Sequence, residues 1–177
     1  SVENAKRYSS DEIKDGSVIY ANNQTAEANL SNVDLKNNSV DNGNGGAIAN
    51  INSASFALQN LEITGNTASG NGGAIYNTSG GTTTLQNINA YGNQSTNGLG
   101  GAIYTNANMS IADSSFGVNA LNNDKNGQND IYIAGENTAL TFSTTENTTS
   151  TINSGVAGDG SLIKTGKGTL NLGGANA

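Results

Sequence analysis

The sequence predicts an all-β fold, a right-handed, three-sided parallel β-helix of about five rungs followed by a C-terminal β-strand repeat. Three observations predict it. A six-residue motif recurs as Gly45-Gly46-Ala47-Ile48-Ala49-Asn50, Gly72-Gly73-Ala74-Ile75-Tyr76-Asn77 and Gly100-Gly101-Ala102-Ile103-Tyr104-Thr105. Its isoleucine belongs to a longer column, Ile19, Ile48, Ile75, Ile103 and Ile131, with steps of 29, 27, 28 and 28 residues. A fixed period of that size marks a solenoid. Between these points apolar residues alternate by two, as in strands with one inward face. Apolar spacing of three and four over ten or more positions, the mark of a helix, is absent beyond the first sixteen residues.

The elements follow in order. Residues 1–16 carry three of the seven basic and four of the fourteen acidic residues. Ser9-x-x-Glu12 has the form of a capping box, and the segment is expected to be an irregular or briefly helical cap over the first open rung. Rungs are expected over 17–143. After each column isoleucine comes a second apolar family, Leu30, Leu58, Leu85, Ile111 and Leu140, preceded two residues earlier by Ala28, Phe56, Thr83, Met109 and Thr138. A third family is Val33 and Leu35, Leu61 and Ile63, Ile88 and Ala90, then Ser114 and Phe116.

From Leu30 to Val33 the step is three, so the inward parity shifts and the chain must turn. The residue in the gap is Asn32, Asn60, Asn87 or Asp113. Asn and Asp tolerate the left-handed conformation of a one-residue corner, and stacked in register they can form a side-chain ladder. Asn38, Asn66, Asn93 and Asn119, three residues past the third family, are expected to form a second ladder. Residues 144–160 read as a polar connector or partial rung. In 161–177, two strands at 161–164 and 169–172 are expected to flank a Gly166-Lys167-Gly168 turn in a hairpin-like unit. The last strand would face nothing, so the native chain is expected to continue.

Composition excludes several functions. With seven Lys and Arg against fourteen Asp and Glu, and a net charge of −7, the chain lacks the basic stripe of a nucleic-acid binder. It has no Cys and no His, which removes thiolate metal sites and the commonest general base. Asn, Gly, Ser and Thr dominate, a composition that permits disorder, but a disordered chain has no reason to keep a period. No apolar run is long enough to span a bilayer.

Two motif sets resemble known families. Gly-Gly-Ala-Ile at 45–48, 72–75 and 100–103, paired with Phe116-Gly117-Val118-Asn119 and with the Phe-replaced versions Leu35–Asn38, Ile63–Asn66 and Ala90–Asn93, resembles the repeats of chlamydial polymorphic outer-membrane proteins. Leu162-Ile163-Lys164-Thr165-Gly166-Lys167-Gly168-Thr169-Leu170-Asn171-Leu172 is similar to the autotransporter-associated β-strand repeat, L-x-K-x-G-x-G-x-L-x-L. The resemblance implies a passenger segment of a bacterial autotransporter, exposed at the cell surface or secreted. Membrane attachment would come only through a C-terminal outer-membrane barrel outside this stretch. It further implies that the 160–174 unit aids secretion and folding of the passenger. The expected function is an adhesin or self-association stalk. Its partners would be a host surface protein or glycan, or the same protein on a neighbouring cell.

The binding face is expected at Tyr20, Tyr76, Tyr104 and Tyr132. Each follows a column isoleucine and so points outward where Ile points inward. The plainer reading of the same residues is cross-strand stabilisation. No catalytic, cofactor or metal residue is assigned. Asp34 and Glu62 stand on outward positions one rung apart, as expected of a solvated face, and the only Arg is Arg7. Asn122–Asp130 has part of a calcium-loop spacing but lacks an acidic residue at its twelfth position, Ile133, so it reads as a turn. Two alternatives remain: a spacer without a ligand, and a carbohydrate-active β-helix or tail-spike module, which would need three or more gathered carboxylates.

Overall fold

The computed structural model describes residues 1–3, 5–7, 15–52, 55–78, 80–127 and 129–176. Among these there is no helix. The chain is a parallel β-solenoid of about five turns, its strands collected into sheets of eleven, six and four. All strand pairings are parallel and join one coil to the next. The Ser9–Glu12 capping box lies outside the described residues.

The isoleucine column forms the six-stranded sheet. Ile19 pairs with Ile48, Ile48 with Ile75, Ile75 with Ile103, Ile103 with Ile131, and Ile131 with Val156. From Ile48 to Ile131 these side chains are at most 2% exposed. Each contributes about 1.5–3 kcal/mol of burial against its like neighbours, and no coil can bury that face alone. Leu58, Leu85 and Ile111 make the next column, and Leu35, Ile63, Ala90, Phe116 and Ile152 the third. Together they form one continuous core.

The Gly-Gly pair explains how the coils close up. Gly72 has φ +66°, and a Cβ there would lie 2.1 Å from the Ile75 carbonyl oxygen. Gly73 does not need an unusual φ; its Cβ would lie 2.1 Å from the Gly101 carbonyl oxygen of the next coil. The first glycine permits the turn, the second permits the backbones to touch.

The left-handed corners fall where expected, at Asn32, Asn60, Asn87 and Asp113, with φ of 57°, 56°, 53° and 46°. They bend rather than break the chain: Ser55–Thr64 and Thr82–Tyr91 each run through the corner as one ten-residue strand.

Three of the expectations on the fold need correction. The N-terminal segment is neither irregular nor helical where it is described: Val2–Glu3 and Lys6–Arg7 are strands paired with Asp34–Lys36 and Ser39–Val40. In the fifth coil the register is two residues off the expected one. Leu140 pairs with Met109, and Phe142 takes the place beside Ile111, because the connection from Ile131 to Leu140 is nine residues long against six from Ile103 to Met109. Of the two forms expected for residues 144–160, the structure has the partial rung, since Thr149–Ile152 and Val156–Ala157 continue the third and first columns. Finally, Ser161–Thr165 and Thr169–Leu172 do not form a hairpin. Each pairs in parallel with the coil beneath, Ala139–Ser143 and Thr149–Ile152 respectively. The unit is therefore a further coil of the same stack.

Candidate functional site

Alternation carries Tyr20, Tyr76, Tyr104 and Tyr132 to the outer side of the isoleucine sheet, where all four are half-buried. Three of them stack. The Tyr76 and Tyr104 rings lie 5.3 Å apart at 20°, and the Tyr104 and Tyr132 rings 5.8 Å apart at 4°. Tyr20 stands apart, because Ala49 occupies the intervening coil; its hydroxyl accepts from Asn22 Nδ2 at 3.1 Å. Ala49 is fully buried, so the gap in the column is not an open slot. Burial raises the Tyr76 and Tyr104 hydroxyl pKa values above the ordinary phenol value. Stacking turns the ring faces toward one another, leaving edges and hydroxyls as the outward surface.

On the third-family strands, Asp34, Glu62 and Asn89 share one outward column. Lys36 Nζ lies 3.3 Å from Asp34 and 3.2 Å from Glu62, so a cation separates the like charges. The two carboxylates in turn raise the Lys36 pKa. The Tyr91 hydroxyl donates to Glu62 Oε1 at 3.0 Å, completing a surface network.

A shallow trough of about 430 Å³ lies on the long-strand sheet, lined by Ala57, Thr84, Gln86, Ser110, Ala112 and Thr141. Its surface is mainly apolar, and none of its lining side chains is charged.

Most buried polar groups belong to ladders. Asn38, Asn66 and Asn93 are fully buried. Asn38 and Asn66 each send the backbone N–H and the Nδ2 to the Oδ1 of the next, at 3.0 Å throughout. The fourth member is not Asn119, which is exposed, but Asn122: Asn93 donates to its Oδ1 from N at 2.9 Å and Nδ2 at 3.0 Å. Extra residues after Phe116 loop outward and carry Asn119 away, although Phe116–Asn119 is the full motif match. The ladder ends on Asp130, a fully buried acid. Its Oδ1 accepts from Asn122 Nδ2 at 2.6 Å and its Oδ2 from the Ser154 N–H at 2.7 Å. An acceptor-only side chain terminates a chain of amides, and burial raises its pKa.

The corner ladder is outward: Asn60 Nδ2 donates to Asn32 Oδ1 at 3.2 Å and Asn87 Nδ2 to Asn60 Oδ1 at 2.8 Å. Asp113 instead accepts from Thr145 N at 2.7 Å, Thr145 Oγ1 at 2.6 Å and Thr148 Oγ1 at 3.2 Å, bonds that lower its pKa.

Two further ladders were not singled out from sequence. Asn50 Nδ2 donates to Asn77 Oδ1 at 2.9 Å, and Asn77 Nδ2 to Thr105 Oγ1 at 3.0 Å. Parity held the signal, since the residue two after each inward Ile is also inward. Asn44 donates to Asp15 Oδ1, Asn71 N to Asn44 Oδ1 at 2.7 Å, and Leu99 N to Asn71 Oδ1 at 2.9 Å. The Asp/Asn-Gly dipeptides at 15–16, 44–45 and 71–72 were its signal. In the 122–130 loop, Asp124 accepts from Asn126 N at 2.8 Å and Gly100 N at 3.1 Å. Its oxygens thus serve protein donors, and among the described residues no group of three acids gathers.

No protein-family model, curated protein or solved structure matches the chain.

Proposed function

We propose that this β-solenoid is a passenger segment of a bacterial autotransporter, displayed at the cell surface or secreted, that acts as an adhesin or self-association stalk through an extended face. The observation that carries the reading is the stacked strip Tyr76–Tyr104–Tyr132. It is an aromatic row along the six-stranded sheet, presenting hydroxyl edges at one-coil spacing. Such half-buried tyrosines suit a protein or glycan partner. The motif resemblance at residues 45–48, 72–75, 100–103 and 162–172 supports the passenger assignment. The reading includes no catalysis, in keeping with Asp34 and Glu62 held by Lys36 and Tyr91. It also takes the solenoid as right-handed and three-sided, because parallel crossovers are right-handed with few exceptions and the strands collect into three sheets.

A second reading, a spacer without a ligand, is favoured by the same stack: ring faces engaged with each other are unavailable to a ligand. The test separates the two. The chain is immobilised and probed with extracellular-matrix proteins, a glycan array and itself, beside the Tyr76→Ala/Tyr104→Ala double variant. The adhesin reading expects a bound partner lost at least tenfold in the variant, with a cooperative melt retained at a lowered midpoint. Absent binding would leave the spacer reading, and binding unchanged in the variant would move the contact face away from the Tyr strip.

A further inference from the structure

The N-terminal strands occupy a place the repeat defines. Val2 pairs with Leu35, Glu3 with Lys36, Lys6 with Ser39 and Arg7 with Val40, so Ala5 falls in register with Asn38. Their hydrogen bonds copy those of the buried ladder. The Ala5 N–H donates to Asn38 Oδ1 at 2.9 Å, as the Asn38 N–H does to Asn66 Oδ1 at 3.0 Å. Asn38 Nδ2 donates to the Val2 carbonyl at 3.2 Å, as Asn66 Nδ2 does to the Leu35 carbonyl at 3.0 Å. The Ser39 N–H donates to the Ala5 carbonyl at 2.8 Å, as the Thr67 N–H does to the Asn38 carbonyl at 2.9 Å. One contact is lacking: alanine has no amide to add to Asn38 Oδ1. The strands are short, and Val2 is 36% exposed.

We propose that the sheet edge Asp34–Val40, centred on Asn38, is a docking site for an extended segment carrying an apolar residue and, three positions on, a small or amide residue. Val2–Arg7 fills it within the chain, and the same segment of a second copy fills it between chains. This is strand addition to a sheet edge, with the buried ladder setting register and side-chain choice. Val2 lies over Leu35, and position 5 meets the Asn38 amide. Exchange of the segment between copies links two solenoids at one end. Occupation within the chain sets a high effective concentration that a second copy must overcome. The proposal stands independently of the Tyr strip.

The test uses a labelled peptide of residues 1–7 and the full chain carrying Val2→Asp and Ala5→Asp, which empties the edge by placing carboxylates against Leu35 and Asn38 Oδ1. The opened variant is expected to bind the peptide saturably and the native chain at least about tenfold more weakly. A peptide with Ala5→Asn is expected to bind about threefold to tenfold more tightly, for the added amide hydrogen bond. A cooperatively melting variant that ignores the peptide overturns the proposal.

If the variant fails to fold, hydrogen exchange on the native chain decides. The Ser39 amide should exchange at least tenfold faster than that of Thr67, and equal rates overturn it. For exchange between copies, a Glu3→Cys chain is mixed with a Lys36→Cys chain under oxidised glutathione. Because these positions are paired neighbours, a disulfide heterodimer in excess of the homodimers is expected, and its absence overturns the part of the proposal that links copies.

Discussion

Asn66 sends both its backbone N–H and its side-chain Nδ2 to a single oxygen, Asn93 Oδ1, at 3.0 Å each. The Asn93 side chain therefore satisfies two buried donors of the coil below, while its own Nδ2 donates to the Ile63 carbonyl at 2.9 Å. Asn93→Ala strands both donors in a dry interior. The expected loss is about 3 kcal/mol, since each unsatisfied buried group costs about 1–3 kcal/mol. Asn119→Ala, at the position that completes the sequence motif, should stay within about 0.5 kcal/mol. Urea unfolding of the two variants makes the comparison.

Gly73 and Gly80 separate packing from composition. An alanine at Gly73 drives its Cβ to 2.1 Å from the Gly101 carbonyl oxygen and 2.5 Å from the Gln94 carbonyl carbon, whereas at Gly80 nothing lies within 4 Å. Gly73→Ala should cost about 3 kcal/mol, the upper range for overpacking. Gly80→Ala should be neutral within about 0.5 kcal/mol. Thermal melts of both variants provide the check.

Tyr104 stacks on two neighbours and Tyr76 on one. At about 0.5–1.5 kcal/mol per aromatic pair, Tyr104→Ala should destabilise by roughly twice as much as Tyr76→Ala through lost stacking. Equal losses would mean that the rings act singly. In an ultraviolet titration, Tyr76 and Tyr104 should ionise above the ordinary phenol value.

Two aspartates give opposite pH signatures. The folded pKa of Asp113 is lowered by the Thr145 and Thr148 bonds. Its contribution is complete above the unfolded value, about 3.9, and is lost as pH falls through the lower folded value. Burial raises the folded pKa of Asp130. The native state there binds the extra proton, so stability declines as pH rises from about 3.9 to that raised value and is level beyond it. Asp113→Asn should flatten the acid limb, and Asp130→Asn should remove the decline above it, both read from stability measured against pH.

Lys164 pairs with Phe142 in the last coil, at a position that points into the core in the coils below. Its Nζ folds back to the Thr165 and Gly166 carbonyls, at 2.6 and 3.0 Å. A charge at an inward position of a coil that no further described coil covers discourages edge-to-edge pairing. Lys164→Leu should therefore raise self-association, measured by sedimentation.

The core columns were legible because stacking like on like writes the same residue type at a fixed interval. The left-handed corners were legible because only Asn, Asp and Gly tolerate that backbone cheaply. The fifth coil misled because its connection is longer, nine residues from Ile131 to Leu140 against six from Ile103 to Met109, and its left-handed Asn147 lies beyond the strand instead of at its bend, so Thr138 and Leu140 were placed two residues out of register with Met109 and Ile111. Alternation and the one-coil spacing put Tyr76, Tyr104 and Tyr132 one above another on the outer side, as the stacked rings are, whereas the ring separations and tilts depend on χ angles that no spacing encodes.

Sequence by itself determined the solenoid, its inward columns and the outward row of tyrosines, because each is a local parity repeated at one period. Tertiary structure alone decided which coil sits against which. That choice put Asn122 rather than Asn119 into the buried ladder, laid Val2–Arg7 along the edge beside Asn38, and stacked 161–172 as another coil instead of a hairpin. The physical reason is that a buried amide is satisfied by whatever lies one coil away, and an outward loop changes that neighbour without changing the local pattern.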